Sequence, residues 1–217
     1  MNTKTMLLPL LAGLALAGAA QAQTADFKPK AAGVKILNVR LSEVKPHGRD
    51  PITTLAGAST GLEADVGYDV MPTLGLSYFF TDNIAVEVIA GTTKHTVRAK
   101  GGATNVKVKD TWVLPPVVSV QYHFAPDSKI SPYVGAGVNY MLFYGGSNKN
   151  GFNLKIDDGF GLAAQAGLDI ATSGPWSINL DAKKIFFSSD AVDRKSGIKT
   201  KVHLDPWVLS AGFGYRF

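Results

Sequence analysis

The chain has 217 residues, 18% of them charged and none of them cysteine, which excludes a disulfide framework, a thiolate metal site and a thiol nucleophile. A mean hydropathy of only +0.08 excludes a bundle of membrane-spanning helices, although a barrel that hides apolar residues in alternation has such a value. The net charge of +5 comes from basic residues scattered through turn-like segments such as Lys94–Lys109 and Lys195–Lys201, not from the aromatic-interleaved basic stripe of a nucleic-acid binder.

The first 22 residues read as a secretory signal peptide. Lys4 supplies a positive start, Met6 to Ala20 is an apolar run broken only by Gly and Pro9, and Ala20-Gln21-Ala22 is an A-x-A cleavage site before Gln23. The mature chain is then 23–217. No later run reaches the roughly 18–20 continuous apolar residues of a spanning helix. Export without a helical anchor implies a periplasmic, secreted or outer-membrane product, and no Cys follows the signal to carry a lipid.

From Gly33 onward the period is two. In chain order, one face carries Leu37, Val39 and Leu41, then Leu74, Leu76, Tyr78 and Phe80, then Ile84, Val86, Val88 and Ala90. Trp112, Leu114, Pro116, Val118, Val120, Tyr122 and Phe124 follow, and then Val134, Ala136, Val138, Tyr140 and Leu142. Leu162, Ala164, Ala166, Leu168 and Ile170 lead on to Ile178, Leu180 and Ala182. The last strand is the clearest, with Trp207, Leu209, Ala211, Phe213, Tyr215 and Phe217 opposite Val208, Ser210, Gly212, Gly214 and Arg216. These sets predict eight strands, at 34–45, 69–80, 83–97, 111–124, 132–145, 159–171, 175–188 and 203–217.

The predicted connections alternate between short (Thr81–Asn83, Ala125–Ser131, Thr172–Gly174) and long (Pro46–Tyr68, Arg98–Asp110, Gly146–Asp158, Ser189–Val202). That is the plan of an all-β, eight-stranded antiparallel transmembrane barrel with both termini on the periplasmic side. Tyr78, Phe79, Phe80, Tyr122, Phe124, Tyr133, Trp176, Tyr215 and Phe217 lie near the short turns, where an aromatic girdle belongs. Tyr215 and Phe217 also form the kind of C-terminal signal read by the barrel assembly machinery. The cell outer membrane of a Gram-negative bacterium is the expected location. Outer-membrane lipid and lipopolysaccharide are the expected surroundings.

Alternation then assigns the lumen. Toward the periplasm the inward positions are Arg40, Glu87, Gln121, His123, Asp169, Asp181, Lys183 and Arg216. Buried charges must be paired, so these predict a salt-bridged polar plug. Toward the outside the inward positions become Met71, Ile89, Val113, Pro115, Val117, Met141, Phe143, Ile185, Phe187 and Val208. They form either a packed apolar core or a greasy pocket blocked from below. Pro115-Pro116 cannot donate to a ladder. The pair predicts either a bulge or a lateral opening through which an apolar molecule leaves into lipid.

The chain resembles the OmpW (AlkL-like) family of small outer-membrane barrels. The matching residues are Thr81-Asp82-Asn83-Ile84-Ala85-Val86-Glu87 on to Lys94-His95, Leu114-Pro115-Pro116, and Gln121-Tyr122-His123-Phe124. Pro132 to Tyr140, Asn179-Leu180-Asp181-Ala182-Lys183, Asp205-Pro206-Trp207 and Gly212 to Phe217 continue it, in order, over nearly the whole mature chain. Pro46–Tyr68 has no counterpart in the match. The resemblance implies an eight-stranded barrel with a hydrophobic lumen. It also implies passive uptake of small hydrophobic solutes with lateral exit through the wall, and favours the pocket over the packed core.

Two other classes compete. An enzyme is disfavoured: His95 is followed by Thr96 and Val97, so the His-x-Ser of lipid A deacylases is absent, and His203 with Asp205 is an isolated pair. No metal-ligand spacing occurs, and no cofactor is implied. A structural or receptor barrel that displays extracellular loops without transport is the remaining alternative.

Overall fold

The computed structural model describes residues 27–46 and 49–217; the signal peptide expected over 1–22 lies outside them. The strands are β1 (Lys35–Lys45), β2 (Asp50–Thr54), β3 (Ser59–Val66), β4 (Asp69–Phe79), β5 (Ile84–Gly91), β6 (Thr93–Gly101), β7 (Thr104–Leu114) and β8 (Val117–His123). Then follow β9 (Ile130–Asn148), β10 (Lys155–Ile156), β11 (Gly159–Ala171), β12 (Trp176–Phe186), β13 (Ser188–Asp193), β14 (Ile198–His203) and β15 (Trp207–Arg216).

Eight of these close an antiparallel barrel in the order β1, β4, β5, β8, lower β9, β11, β12, β15 and back to β1. Closure pairs both edges of every strand through the lower barrel, where an unsatisfied backbone group in hydrocarbon costs several kcal/mol. The expected register follows: Leu37, Val39 and Leu41 face out between Asn38, Arg40 and Ser42, which are buried. Leu162 and Phe213 are more than 60% exposed on the outer face. A wall of exposed Leu, Val and Phe is untenable in water and suits lipid.

Aromatic pairs mark the lower edge of that wall. Tyr78–Phe80, Tyr122–Phe124, Trp176–Tyr215 and Tyr215–Phe217 have ring centroids 4.8 to 5.2 Å apart. The upper edge carries lysines over tryptophans, Lys94 on Trp112 at 5.7 Å and Lys184 on Trp207 at 5.5 Å. From Trp207 to Phe217, at roughly 3.4 Å per residue and a 40° tilt, the wall is about 25 Å tall. Phe79 and Tyr133 correct the expected girdle: both are buried and face the lumen. Their height is that of the girdle, but their neighbours Tyr78 and Val134 hold the outward positions.

The long connections are not loops. Pro46–Tyr68 contains the hairpin β2–β3, Arg98–Asp110 the tip of β6–β7, Gly146–Asp158 the end of β9 and β10, and Ser189–Val202 the hairpin β13–β14. The wall continues above the membrane as a second sheet, β10-β13-β14-β2-β3-β6-β7, joined to upper β9. Accordingly the predicted strand 83–97 divides into β5 and β6 and extends to Gly101, and 111–124 divides into β7 and β8. The final strand begins at Trp207, with 198–203 forming β14. Inward Ile52, Val97, Val108 and Val202 give this upper sheet its own buried cluster.

Candidate functional site

The floor begins with β1, which carries Arg40 inward. Its guanidinium donates to Glu87 Oε1 of β5 at 2.6 Å. Lys183 of β12 lies 3.2 Å from the other Glu87 oxygen and also donates to Asp181. Tyr133 of β9 donates its hydroxyl proton to Asp181 at 2.8 Å. Asn179 donates to Asp169 of β11 at 2.6 Å. A carboxylate buried without partners would be driven to neutrality; here each one meets a cation or a polar donor.

One cation of this network comes from outside the barrel strands. The segment before β1 enters from below and places Lys30 in the floor, 4% exposed, with Nζ 2.7 Å from Asp169 Oδ2 and 2.9 Å from His123 Nδ1. A lysine ammonium only donates. Nδ1 of His123 therefore accepts, and its ring proton sits on Nε2, 3.2 Å from Gln121 Oε1. With His123 neutral, the cations Lys30, Arg40 and Lys183 balance the carboxylates Glu87, Asp169 and Asp181. Sequence alternation could not find Lys30, because it lies outside the predicted strands.

Arg216 corrects the predicted plug. It is half-buried at the lower rim and donates to the carbonyls of Lys28 and Pro29. It thus grips the entering segment and makes no ion pair with the floor carboxylates.

Above the floor, Met71, Ile89, Val113, Val117, Met141, Ile185, Phe187 and Val208 pack with Val44 and Ala163 into one buried cluster, and Phe143 rests on it. An apolar cavity begins higher up and encloses about 890 Å³ of empty space, its mouth included; about 60 Å³ of this is wide enough to centre a water molecule. It is a long slot. Of the predicted lumen residues, Val113, Pro115, Met141 and Phe143 line it. The other six pack the barrel beneath. Much of the slot's remaining apolar wall comes from the upper sheet, among it Ile52, Val66, Val97, Val108, Ile156 and Val202, residues whose polar neighbours and positive-φ turn glycines Gly57, Gly102 and Gly197 hid their alternation.

His95 is a buried polar residue on this wall, with Thr93, Thr111 and Ser189. Its Nδ1 donates to the Gly67 carbonyl at 2.6 Å, and burial lowers its pKa despite the opposing pull of that carbonyl and Asp69. His203 pairs with Asp50 at 2.7 Å and not with Asp205, which instead accepts from the Phe187 amide.

Pro115-Pro116 interrupts the wall beside the slot. The β5–β8 ladder ends at Ile89 opposite Val117, and the β6–β7 ladder starts at Thr93 opposite Val113. Between them Ala90, Gly91 and Thr92 face Leu114, Pro115 and Pro116 without a ladder pair. On the β9 side the break is bridged, since the Tyr140 amide and the Asn139 side chain both donate to the Pro116 carbonyl.

A closed antiparallel barrel with an apolar outer band, aromatic edges and a charge-balanced interior defines an outer-membrane protein of a Gram-negative bacterium. The OmpW family profile matches residues 31–217, and the chain belongs to that family. It is 40% identical to the outer-membrane protein y4mB of Sinorhizobium fredii, over 81% of this chain and 79% of that one. The crystal structure of OprG from Pseudomonas aeruginosa superposes with a TM-score of 0.83 at 29% identity, covering 88% of this chain and 99% of that one. The solid-state NMR structure of AlkL in lipid bilayers gives 0.66 at 27% identity, covering 89% and 94%.

Proposed function

We propose that this barrel is a passive conduit for small hydrophobic molecules. The observation that carries the reading is the meeting of the apolar slot with a proline-made interruption in the ladder of the barrel wall: Pro115 belongs to both. A solute enters the slot from outside, between the strands of the upper sheet. It meets packed apolar side chains and then the charged floor, so the downward path is closed. The unladdered stretch at Pro115-Pro116 is the exit, sideways into the bilayer. The narrow slot favours extended chains over bulky rings. On this reading the role is passage. Tyr215 and Phe217, at the lower edge of the last strand, serve the assembly machinery.

Uptake of an alkane or a long-chain fatty acid into liposomes holding the reconstituted barrel tests this. Acceleration over protein-free liposomes is expected, and Val113→Trp, which fills the slot beside the break, should abolish it. A folded barrel that gives no acceleration overturns the conduit and leaves a barrel whose upper sheet is for display.

A further inference from the structure

The outer wall carries a second feature, separate from the slot. Lys45 of β1 and Lys184 of β12 both pair with Trp207 of β15, from opposite sides. All three point outward at the upper edge of the apolar band, where the outer leaflet keeps its headgroups. Directly below them, on the same strands and β11, the wall is hollowed. Ala166, Ala182 and Ala211 floor a groove of about 1480 Å³ of empty space, its open side included, and Leu41, Leu168 and Phe213 stand among its rims. Small residues between large ones make a furrow along the lipid-facing surface, and such a furrow in a bilayer is filled by hydrocarbon.

The charge at its head selects which lipid. Neither Lys45 nor Lys184 has a carboxylate partner among the described residues. Lys184 lies over the Trp207 ring and donates to the carbonyl of Asp205. The Asp205 carboxylate is engaged by the Phe187 amide. Glu43, two residues below Lys45 on the same outer face, is the acid beneath the two ammonium groups, while Asp181, at the groove's inner side, is held by Lys183 and Tyr133. An ammonium on each side of an indole, above an apolar furrow, matches a phosphate at the interface with an acyl chain beneath. The upper edge faces the outer leaflet, so the phosphate is that of a phosphorylated, acylated glycolipid.

We propose that Lys45, Trp207 and Lys184 form, with the groove below, a binding site for an outer-leaflet phosphoglycolipid of the lipid A type. The other lysine–tryptophan pair, Lys94 with Trp112, has no such furrow among the grooves described and provides an internal control.

Native mass spectrometry of the detergent-purified barrel tests the site, with bis-phosphorylated lipid A, the same lipid stripped of phosphate, and phosphatidylglycerol as probes. Heat-modifiable gel mobility reports folding of each variant. The folded protein is expected to retain phosphorylated lipid A in preference to both other lipids. The double variant Lys45→Ala/Lys184→Ala should lose that preference by about thirtyfold, the combined charge–lipid attraction of two lysines, and Lys94→Ala should keep it. Glu43→Gln should raise retention. Equal retention by wild type and the double variant, equal retention of the dephosphorylated lipid or of phosphatidylglycerol, an equal loss in Lys94→Ala, or a fall in Glu43→Gln each overturns the assignment.

Discussion

Lys30 Nζ lies 2.7 Å from Asp169 Oδ2, between residues 139 positions apart in the chain. This contact pins the segment before the first strand into the barrel floor and completes its charge balance. Removing one partner of a buried ion pair leaves an uncompensated charge, which costs about 3–5 kcal/mol. Lys30→Met is therefore expected to lower the urea midpoint of the folded barrel strongly. Lys30→Met/Asp169→Asn, which removes both charges, should recover much of the loss. Equal midpoints for wild type and Lys30→Met would show that the segment is not held.

Tyr133 is a second keystone of the floor. Its hydroxyl donates to Asp181 and accepts from Asn179 at 3.1 Å, and its ring lies against Gly167, where any Cβ would collide with it. Tyr133→Phe leaves Asp181 short of a donor, at a cost of about 1–3 kcal/mol. Gly167→Ala should cost at least as much, since the ring must move and the hydroxyl leaves both partners. Urea unfolding measures both, and a near-neutral Gly167→Ala would contradict the close approach.

The barrel was legible because a strand between lipid and lumen must alternate, and Leu74, Leu76 and Val120 display it without interruption. The floor was legible for the same reason: once Val39 and Leu41 face out, Arg40 must face in. Phe79 and Tyr133 were assigned by height alone, and their parity already placed them inside. The upper sheet was not legible. Its outer face is water-exposed, so Lys199, Lys201 and Lys100 alternate with short apolar residues and read as loop. The slot wall was missed with it, and only Val113, Pro115, Met141 and Phe143 were anticipated. Lys30 was invisible because it precedes β1 and obeys no period.

The upper sheet carries a pH dependence. Burial holds the His95 imidazole below its ordinary pKa, so the folded state favours the neutral ring. The unfolded chain takes up the proton near about pH 6.5 and the folded chain only at lower pH. The folded form is then fully favoured above that value, and stability falls as pH drops toward the folded pKa. Protection factors of the β3 and β6 amides, which correct for the slower intrinsic exchange in acid, should be lower at pH 5 than at pH 7.5. In His95→Gln the difference should shrink. An unchanged difference would place the sensitive group elsewhere.

The exit beside Pro115-Pro116 makes opposite predictions for two kinds of change. Thr92 Oγ1 and the Tyr144 hydroxyl share a hydrogen bond. Thr92 joins β5 to β6 and Tyr144 lies on β9, so the bond spans the outside of β7 beside the break. It straps the stretch that the ladder leaves open. Tyr144→Phe removes the strap without touching the slot, whose lining does not include Tyr144. Uptake of an alkane into reconstituted liposomes should then rise. Pro115→Ala/Pro116→Ala supplies two backbone donors where none existed, and these can ladder with Ala90 to Thr92. Uptake should fall, while the slot, altered only at the single wall residue Pro115, still admits solute. Equal rates for wild type, Tyr144→Phe and the double proline variant, all verified as folded by heat-modifiable mobility, would rule out exit at this break.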